Sequence, residues 1–472
     1  MQPMTCQHFG ICGGCSCVTS GETVAPPPYT DELAAKESRV RGLLASYEVL
    51  QWRPMIGSPD IWHYRNKMEY AFAAPYKDRP STTPSPLAGE GPDEGTPPLK
   101  NLPSPSPAGG EGFVLGLRQQ GRYDRVVDLQ TCNLVSPECF EILKRVRQWA
   151  KASSLTGYHR KAHVGDLRYL VIREAQNTGQ RMVVLIASKS TSSPAAAGGG
   201  SSEQKKNLMD PRQPRPPVEC SIDGAVPTIE KVNWWTGQGH SGMTSNKALQ
   251  DALAPLTTTA WLGLTDTKSD VARAEEMTLL WGPGTIDERL GDRTYRISPY
   301  SFFQTNTHGT ERLYGLLAEW GKSIGGALVD VYCGSGGITL ALAQSFDRVV
   351  GIDTNREAIE DARFNAEHNG IGNAEFVAED AVEFLKKLPA SKLAVQLSAV
   401  IVDPPRPGLH PKALQALLEL NPPRLAYVSC NPESLARDLQ GLVPFYKILS
   451  AQPVDLFPHT PHVETVVFLE HR

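Results

Sequence analysis

The chain contains no run of about 20 consecutive apolar residues, the length a helix needs to cross a bilayer core, so a helical membrane span is not expected. Its start, MQPMTCQHFG, has neither the basic n-region nor the apolar stretch of a secretory signal, and the expected compartment is the cytoplasm. An excess of either charge is also missing: 47 Lys and Arg face 51 Asp and Glu, a net charge of −4. Whole-chain basicity therefore cannot hold a nucleic acid, and only a local patch can. Lys144, Arg145, Arg147, Lys151, Arg160, Lys161, Arg168 and Arg173 are candidates for one, with an ordinary solvated face as the alternative. No GxxxxGK followed by Ser or Thr occurs, which removes a phosphate-binding loop. The single CxxC has no second CxxC to complete the usual paired zinc site.

The chain has 472 residues, room for two or three domains. Nine cysteines in a reducing compartment argue for metal binding, catalysis or burial rather than a disulfide framework. Two stretches, at about 77–112 and 188–219, are rich in Pro, Gly and Ser and read as low-complexity insertions that cannot bury a core. Before about residue 295 the ordered pieces read as a helix near 30–46 and then strands: FVLGLRQ, DRVVDL, DLRYLVIREA and RMVVLIAS, the last two joined by QNTGQ as a hairpin. From about residue 320 the rhythm becomes strand, Gly-rich turn, helix, strand, the mark of a parallel α/β sheet.

LVDVYCGSGGITLALA, at 328–343, is an apolar strand running into such a turn and then a helix. Gly334, Gly336 and Gly337 would let a cofactor approach the backbone. A dinucleotide site, a tight structural turn and an S-adenosylmethionine pocket all begin this way. The next three strands each finish in an aspartate: Asp353, Asp380 and Asp403. Open α/β sheets bind ligands at the carboxyl ends of their strands, so the three carboxylates are expected to share a site, although each can instead cap the helix that follows. The turn reads GSGG rather than GxGxxG, which weakens the dinucleotide reading. S-adenosylmethionine carries no phosphate and needs close backbone and carboxylates, which this segment supplies. Cys430, in LAYVSCNPESL, follows another apolar strand; a cysteine there is a nucleophile only if its surroundings favour the thiolate, and is otherwise simply buried.

Five segments, in order, carry a resemblance: the cluster CQHFGICGGC, SFFQTN at 301–306, DPPRPG at 403–408, SCNP at 429–432 and HTPHVE at 459–464. Together they resemble the bacterial RNA uracil-C5 methyltransferases of the iron-sulfur type. The resemblance implies an α/β fold: a Rossmann-like class I methyltransferase domain with a mixed, mostly parallel seven-stranded sheet at 296–472. A β-rich α+β central domain facing RNA would precede it at 21–295, with a cysteine-cluster segment at 1–20. It further implies that Gln304, Tyr332, Gly334, Gly337, Asp353, Asp380 and Asp403 line the S-adenosylmethionine pocket. The family often has Phe at Tyr332, and Gly337 offers no side chain where an Asn would make a contact.

By the same resemblance Cys430 is the nucleophile and Glu464 the base. Uracil C5 attacks a methyl sulfonium only after a thiolate has added to C6, and a carboxylate must then take the C5 proton so that the cysteine can leave. Arg406 would stabilise enolate charge or hold a phosphate, with a structural salt bridge as the alternative. Phe302 and Phe303 are candidates to stack on a flipped base, or else core residues. Cys6, Cys12 and Cys15 supply three thiolates, and Cys132 matches the position that closes a [4Fe-4S] cluster in the family, zinc being the alternative. A radical S-adenosylmethionine enzyme would show CxxxCxxC and leave one iron open; Cx5CxxC plus Cys132 closes four sites. Family members with the cluster usually act on 23S ribosomal RNA, so the expected partner is that RNA, met by a monomer. Many members carry an amino-terminal β-barrel ahead of the cluster; this chain starts at the cluster, so RNA affinity is expected to rest on the central domain. The alternatives are a transfer-RNA uracil methyltransferase and a non-catalytic RNA-binding protein with a structural cluster.

Overall fold

A computed structural model describes residues 6–16, 26–75, 112–153, 155–189, 241–390 and 393–472. The expected insertions at 77–112 and 188–219 lie outside these residues apart from 112, 188 and 189, as do Cys17 and Cys220. After α1 (Tyr29–Leu43) and β1 (Val49–Trp52), the chain builds a seven-stranded sheet from β2 (Lys67–Ala73), β3 (Val114–Gln119), β4 (Arg122–Asp128), β5 (Leu167–Ala175), β6 (Gln180–Ser188), β7 (Thr259–Thr265) and β8 (Glu276–Trp281). Its order is β4-β3-β2-β5-β6-β7-β8. Every neighbouring pair is antiparallel except β6 and β7. Helices α2 (Pro137–Ala152) and α3 (Ser241–Leu253) lie in the same half. Helix α2 starts where Pro137 needs no N–H partner and the Ser136 side chain accepts from the Cys139 amide. The expected hairpin is present: Gln176 to Gly179 turns β5 into β6, with Gly179 at φ 71°.

A two-stranded hairpin, β9 (Ile286–Leu290) and β10 (Arg293–Ile297), leads to the second half. There follow α4 (Thr307–Gly321), β11 (Ala327–Val331), α5 (Gly337–Leu342), β12 (Arg348–Asp353), α6 (Arg356–His368), β13 (Ala374–Ala378) and α7 (Ala381–Lys387). The chain ends with β14 (Leu397–Val402), α8 (Pro411–Leu420), β15 (Arg424–Ser429), α9 (Pro432–Leu442), β16 (Tyr446–Val454) and β17 (Glu464–His471). The core strands of this sheet are mostly apolar, as strands covered on both faces are: all of β11 is buried, including Asp330, which accepts from the Thr339 hydroxyl.

The seven-stranded sheet expected here has eight strands, in the order β1-β16-β17-β15-β14-β11-β12-β13. The additional strand is β1, which runs parallel to β16 with Val49 opposite Ile448. Residues 29–56 therefore pack with the carboxyl-terminal half: Val40 of α1 and Leu44 at its C-cap belong to the same buried cluster as Leu435, Leu439 and Leu442 of α9. The 295/296 division is thus not where the sheets divide. β17 runs antiparallel between β15 and β16, so the last strand is an interior one.

Buried arginines tie segments together, Arg173 across the two halves and Arg168 and Arg147 within the first. Arg173 of β5 donates to the carbonyls of Ser298, Pro299 and Ser301 at 2.6, 3.2 and 2.8 Å. Arg168 likewise reaches the carbonyls of Thr267 and Ser269, and Arg147 those of Leu115 and Leu129. These three members of the expected basic patch are structural, because a guanidinium removed from water has to spend its donors on protein oxygens.

Candidate active site

Strand pairing gathers the predicted residues. β15 and β17 pair through Ser429 and Thr465, so Cys430 and Glu464 stand opposite one another one step further along the same ladder. Val331 pairs with both Ile352 and Val402. Tyr332, Asp353 and Asp403, each one residue past those pairs, therefore lie along the carboxyl ends of three parallel strands. The Tyr332 amide donates to the Ile352 carbonyl at 2.9 Å and the Asp403 amide to that of Val331 at 3.3 Å, which carries the ladder out to these positions.

The turn after β11 is built for close approach. Tyr332, Gly334 and Gly336 have φ of 71°, 54° and 83°; glycine meets that demand freely, and Tyr332 meets it at a cost in backbone strain. One Asp353 oxygen accepts from the Gly334 amide at 3.0 Å and the other from the Asn355 amide at 2.8 Å. Asp353 thus organises the turn and keeps a lone pair on each oxygen for a ligand hydroxyl. Gly334, half-buried beside the Asp353 carboxylate and with only the Phe302 ring near its Cβ position, fits the ribose end of S-adenosylmethionine. Gly337 is different: a Cβ there would lie 2.1 Å from the Tyr314 hydroxyl, so the space a side chain would use is taken by Tyr314.

The other expected pocket residues divide. Gln304 is buried, its carbonyl held by the Asn66 side chain at 2.9 Å. Asp380 is exposed and caps α7, accepting from the amides of Val382 at 2.9 Å and Glu383 at 3.3 Å. Phe302 and Phe303 part company: Phe303 is 6% exposed and packs in the core, whereas Phe302 is 62% exposed. Phe302 sits over the Gly-rich turn, its carbonyl accepting from the Ser335 hydroxyl at 3.1 Å.

Charge is concentrated at the Cys430 end. Burial pushes the Glu464 carboxyl up to about 7, with the Arg406 guanidinium pulling the other way. Burial and then Glu464 and Asp330 drive Asp403 well above the usual carboxylate range. Two carboxyls this close in a dry site resist ionising together. Burial, then Glu464 and Asp403, push the Cys430 thiol up to about 11, and Arg406 opposes them. Arg406 donates to His462 Nε2 at 2.9 Å, and its own carbonyl accepts from the Asn431 side chain at 3.2 Å. His462 and Asn431 stand inside HTPHVE and SCNP, yet sequence reasoning took only Glu464 and Cys430 from those motifs. Their contact with Arg406 is tertiary, and no local pattern announces it.

The loop from Asp455 to Val463, which delivers Glu464, is held by the amino-terminal segment. Lys36 Nζ reaches buried Glu32 at 2.7 Å and buried Asp455 at 2.9 Å, and the carbonyl of half-buried Phe457 at 3.0 Å. Tyr29 donates to Asp455 at 2.8 Å and Tyr64 to the Pro458 carbonyl at 2.9 Å. The Ser16 amide donates to the His459 carbonyl at 3.0 Å, and the His459 ring stacks on Trp62 with centroids 3.8 Å apart.

Ser16 adjoins the cysteine segment. Cys6, Cys12 and Cys15 are buried and Cys132 is half-buried. Cys6, Cys15 and Cys132 pack around Tyr64 and Leu134, and the charge of each of Cys12, Cys132 and Cys6 is felt at Cys15. Amides of Gly14 and Cys15 point at the Cys12 sulfur, and those of Leu134 and Val135 at the Cys132 sulfur. Donors aimed at sulfur stabilise thiolates and tune clusters. Among the described residues no group of three or more His, Cys, Asp and Glu side chains is drawn together as for a single metal ion. No helix among them is long and apolar enough to cross a membrane.

Comparison with known proteins agrees with this geometry. The family described as tRNA (Uracil-5-)-methyltransferase matches residues 269–472. An uncharacterized RNA methyltransferase of Chlorobaculum tepidum is 33% identical over 98% of this chain and 82% of its own length. Another, of Clostridium tetani, is 31% identical over 99% of this chain and 84% of its own. Among solved structures, Pyrococcus abyssi tRNA (uracil-54, C5)-methyltransferase in complex with S-adenosyl-L-homocysteine superposes with a TM-score of 0.60 at 27% identity, over 94% of this chain and 83% of that one. With a Gly-rich turn, strand-end carboxylates and full-length relatives of this kind, the chain belongs to the RNA (uracil-5-)-methyltransferase family and is an S-adenosylmethionine-dependent enzyme acting on RNA.

Proposed function

We propose that the protein methylates C5 of a uridine through a covalent adduct, with Cys430 adding to C6 and Glu464 removing the C5 proton. The observation that carries this reading is the juxtaposition of Cys430 and Glu464 across β15 and β17, with Asp403 on the neighbouring strand. Bound S-adenosylmethionine supplies the electrophilic methyl group. Asp353 and the Gly334 backbone would hold it, with Gln304, Tyr332, Gly337, Asp380 and Asp403 as the remaining residues expected to line its pocket. The Cys430 thiolate bonds to C6, C5 takes the methyl as the sulfonium S–CH3 bond breaks to leave S-adenosylhomocysteine, Glu464 accepts the C5 proton, and the C6–S bond then breaks to return the thiolate. Phe302, exposed over the turn, is placed to stack on the extruded base.

Cys430→Ala is expected to lose methyl transfer to RNA altogether. Glu464→Gln is expected to turn over about 10²–10⁴-fold more slowly and to accumulate a protein–RNA adduct that survives denaturation. Normal methylation by Cys430→Ala, or no adduct from Glu464→Gln despite RNA binding, would overturn the roles.

The four thiols of Cys6, Cys12, Cys15 and Cys132, with amides aimed at two of the sulfurs, suit a [4Fe-4S] cluster that ties the amino terminus to the central sheet. A single zinc held by the same four thiols is the alternative. Iron and acid-labile sulfide in anaerobically purified protein decide between the two. The substrate expected from the cluster is 23S ribosomal RNA, acted on by a monomer. A transfer-RNA target is the second reading, favoured by the matching family's description and by the Pyrococcus abyssi enzyme. Mass mapping of 5-methyluridine in both RNAs from a deletion strain separates them.

A further inference from the structure

We propose that His462 is a positioning residue for methyl transfer: a neutral imidazole that accepts a hydrogen bond from Arg406 and so holds its guanidinium beside Cys430 and Glu464. The proposal rests on Cys430 being the nucleophile. A guanidinium can only donate, so the 2.9 Å contact makes His462 Nε2 the acceptor and leaves any ring proton on Nδ1. Burial and the surrounding cations, Arg406, Arg65, Lys36 and Arg39, push the imidazole down to about 4, which keeps it neutral at working pH.

The ring is fixed independently of Arg406. It stands edge-on to Phe457, centroids 6.0 Å apart at 85°, and its backbone amide donates to the Thr460 hydroxyl at 3.3 Å. The other end of Arg406 is fixed by Asn431, the neighbour of Cys430, which donates to the Arg406 carbonyl. Between those anchors lies a long side chain on an exposed residue, which loses rotamer freedom only where something receives it. A carboxylate in place of His462 would also receive it but would cancel its charge. A neutral acceptor aims the guanidinium and leaves its field intact. That field matters because the other charged groups facing the thiol, Glu464 and Asp403, both oppose thiolate formation.

The test compares full-length wild type, His462→Ala and His462→Gln, the last placing an amide oxygen where Nε2 was. Alkylation of Cys430 by iodoacetamide at about pH 8 follows the thiolate fraction and is read by mass spectrometry of its peptide, without turnover. His462→Ala is expected to slow it about tenfold, a thiol shift of about one unit, with a similar fall in kcat and an unchanged KM for S-adenosylmethionine. His462→Gln is expected to restore both. Loss of activity in His462→Ala with unaltered alkylation would overturn the proposal, as would a His462→Gln enzyme that folds yet behaves like His462→Ala. Full activity in Cys430→Ser would instead sink the nucleophile reading, a result distinguishable from either.

Discussion

In the proposed reaction Glu464 works with its carboxyl ionised, and burial holds that carboxyl near 7. The kcat is therefore expected to rise with pH through about 7, and a profile flat between pH 6 and about 8 would contradict the base assignment. The same shift acts on the fold in the opposite direction. A carboxyl raised on folding stabilises fully below its unfolded value of about 4.3, and that contribution is lost as pH rises through the folded value. Activity at neutral pH is thus gained at some expense of stability. Gly337 offers a second test at this scale. Its Cβ position is filled by the Tyr314 hydroxyl, so Gly337→Ala is expected to destabilise by about 1–3 kcal/mol, and Tyr314→Phe to recover part of that in thermal unfolding.

Among elements, the loop between β16 and β17 carries the most consequence, because its anchors come from α1, from Ser16 before it and from Trp62 and Tyr64 after it. Replacing Lys36 with Met would leave Glu32 and Asp455 buried without their cation, a loss of about 3–5 kcal/mol for a broken buried pair. Lys36→Met is expected to melt earlier and, below its melting range, to lose kcat more than affinity for S-adenosylmethionine, since Glu464 and His462 ride on that loop. Elements differ in how well the sequence announces them. β11, β12 and β14 are largely apolar and end in a Gly-rich turn or an aspartate, so the strands and their carboxyl edge could be read locally. β1, only VLQW, has no such mark; its partner β16 lies almost at the other end of the chain, and only tertiary pairing makes it a strand of that sheet. Asp380 illustrates a different limit: the residue type that binds a ligand at a strand end also caps helices, and one Asp380 oxygen does cap α7, so the sequence alone does not separate the two roles.

At the scale of the molecule, the cysteine segment touches both halves: the Cys12 backbone bridges to Gln119 at the end of β3, and Ser16 bonds the loop that delivers Glu464. Stripping the proposed cluster, or Cys132→Ser, is expected to speed hydrogen exchange at 6–16 and at 455–463 together, measured by mass spectrometry. Faster exchange at the first stretch alone would mean the Ser16 contact couples nothing. The expected division at residue 295 missed this arrangement because a contiguous domain is the simplest reading of a sequence, while α1 and β1 return to the far half. The interior position of β17 has a consequence for synthesis. A ribosome that stalled before Glu464 would release a product lacking both the proposed base and the strand that bridges β15 to β16. Such a truncated product would lack the proposed base, so methylation is reserved for chains whose translation has run through the final strand.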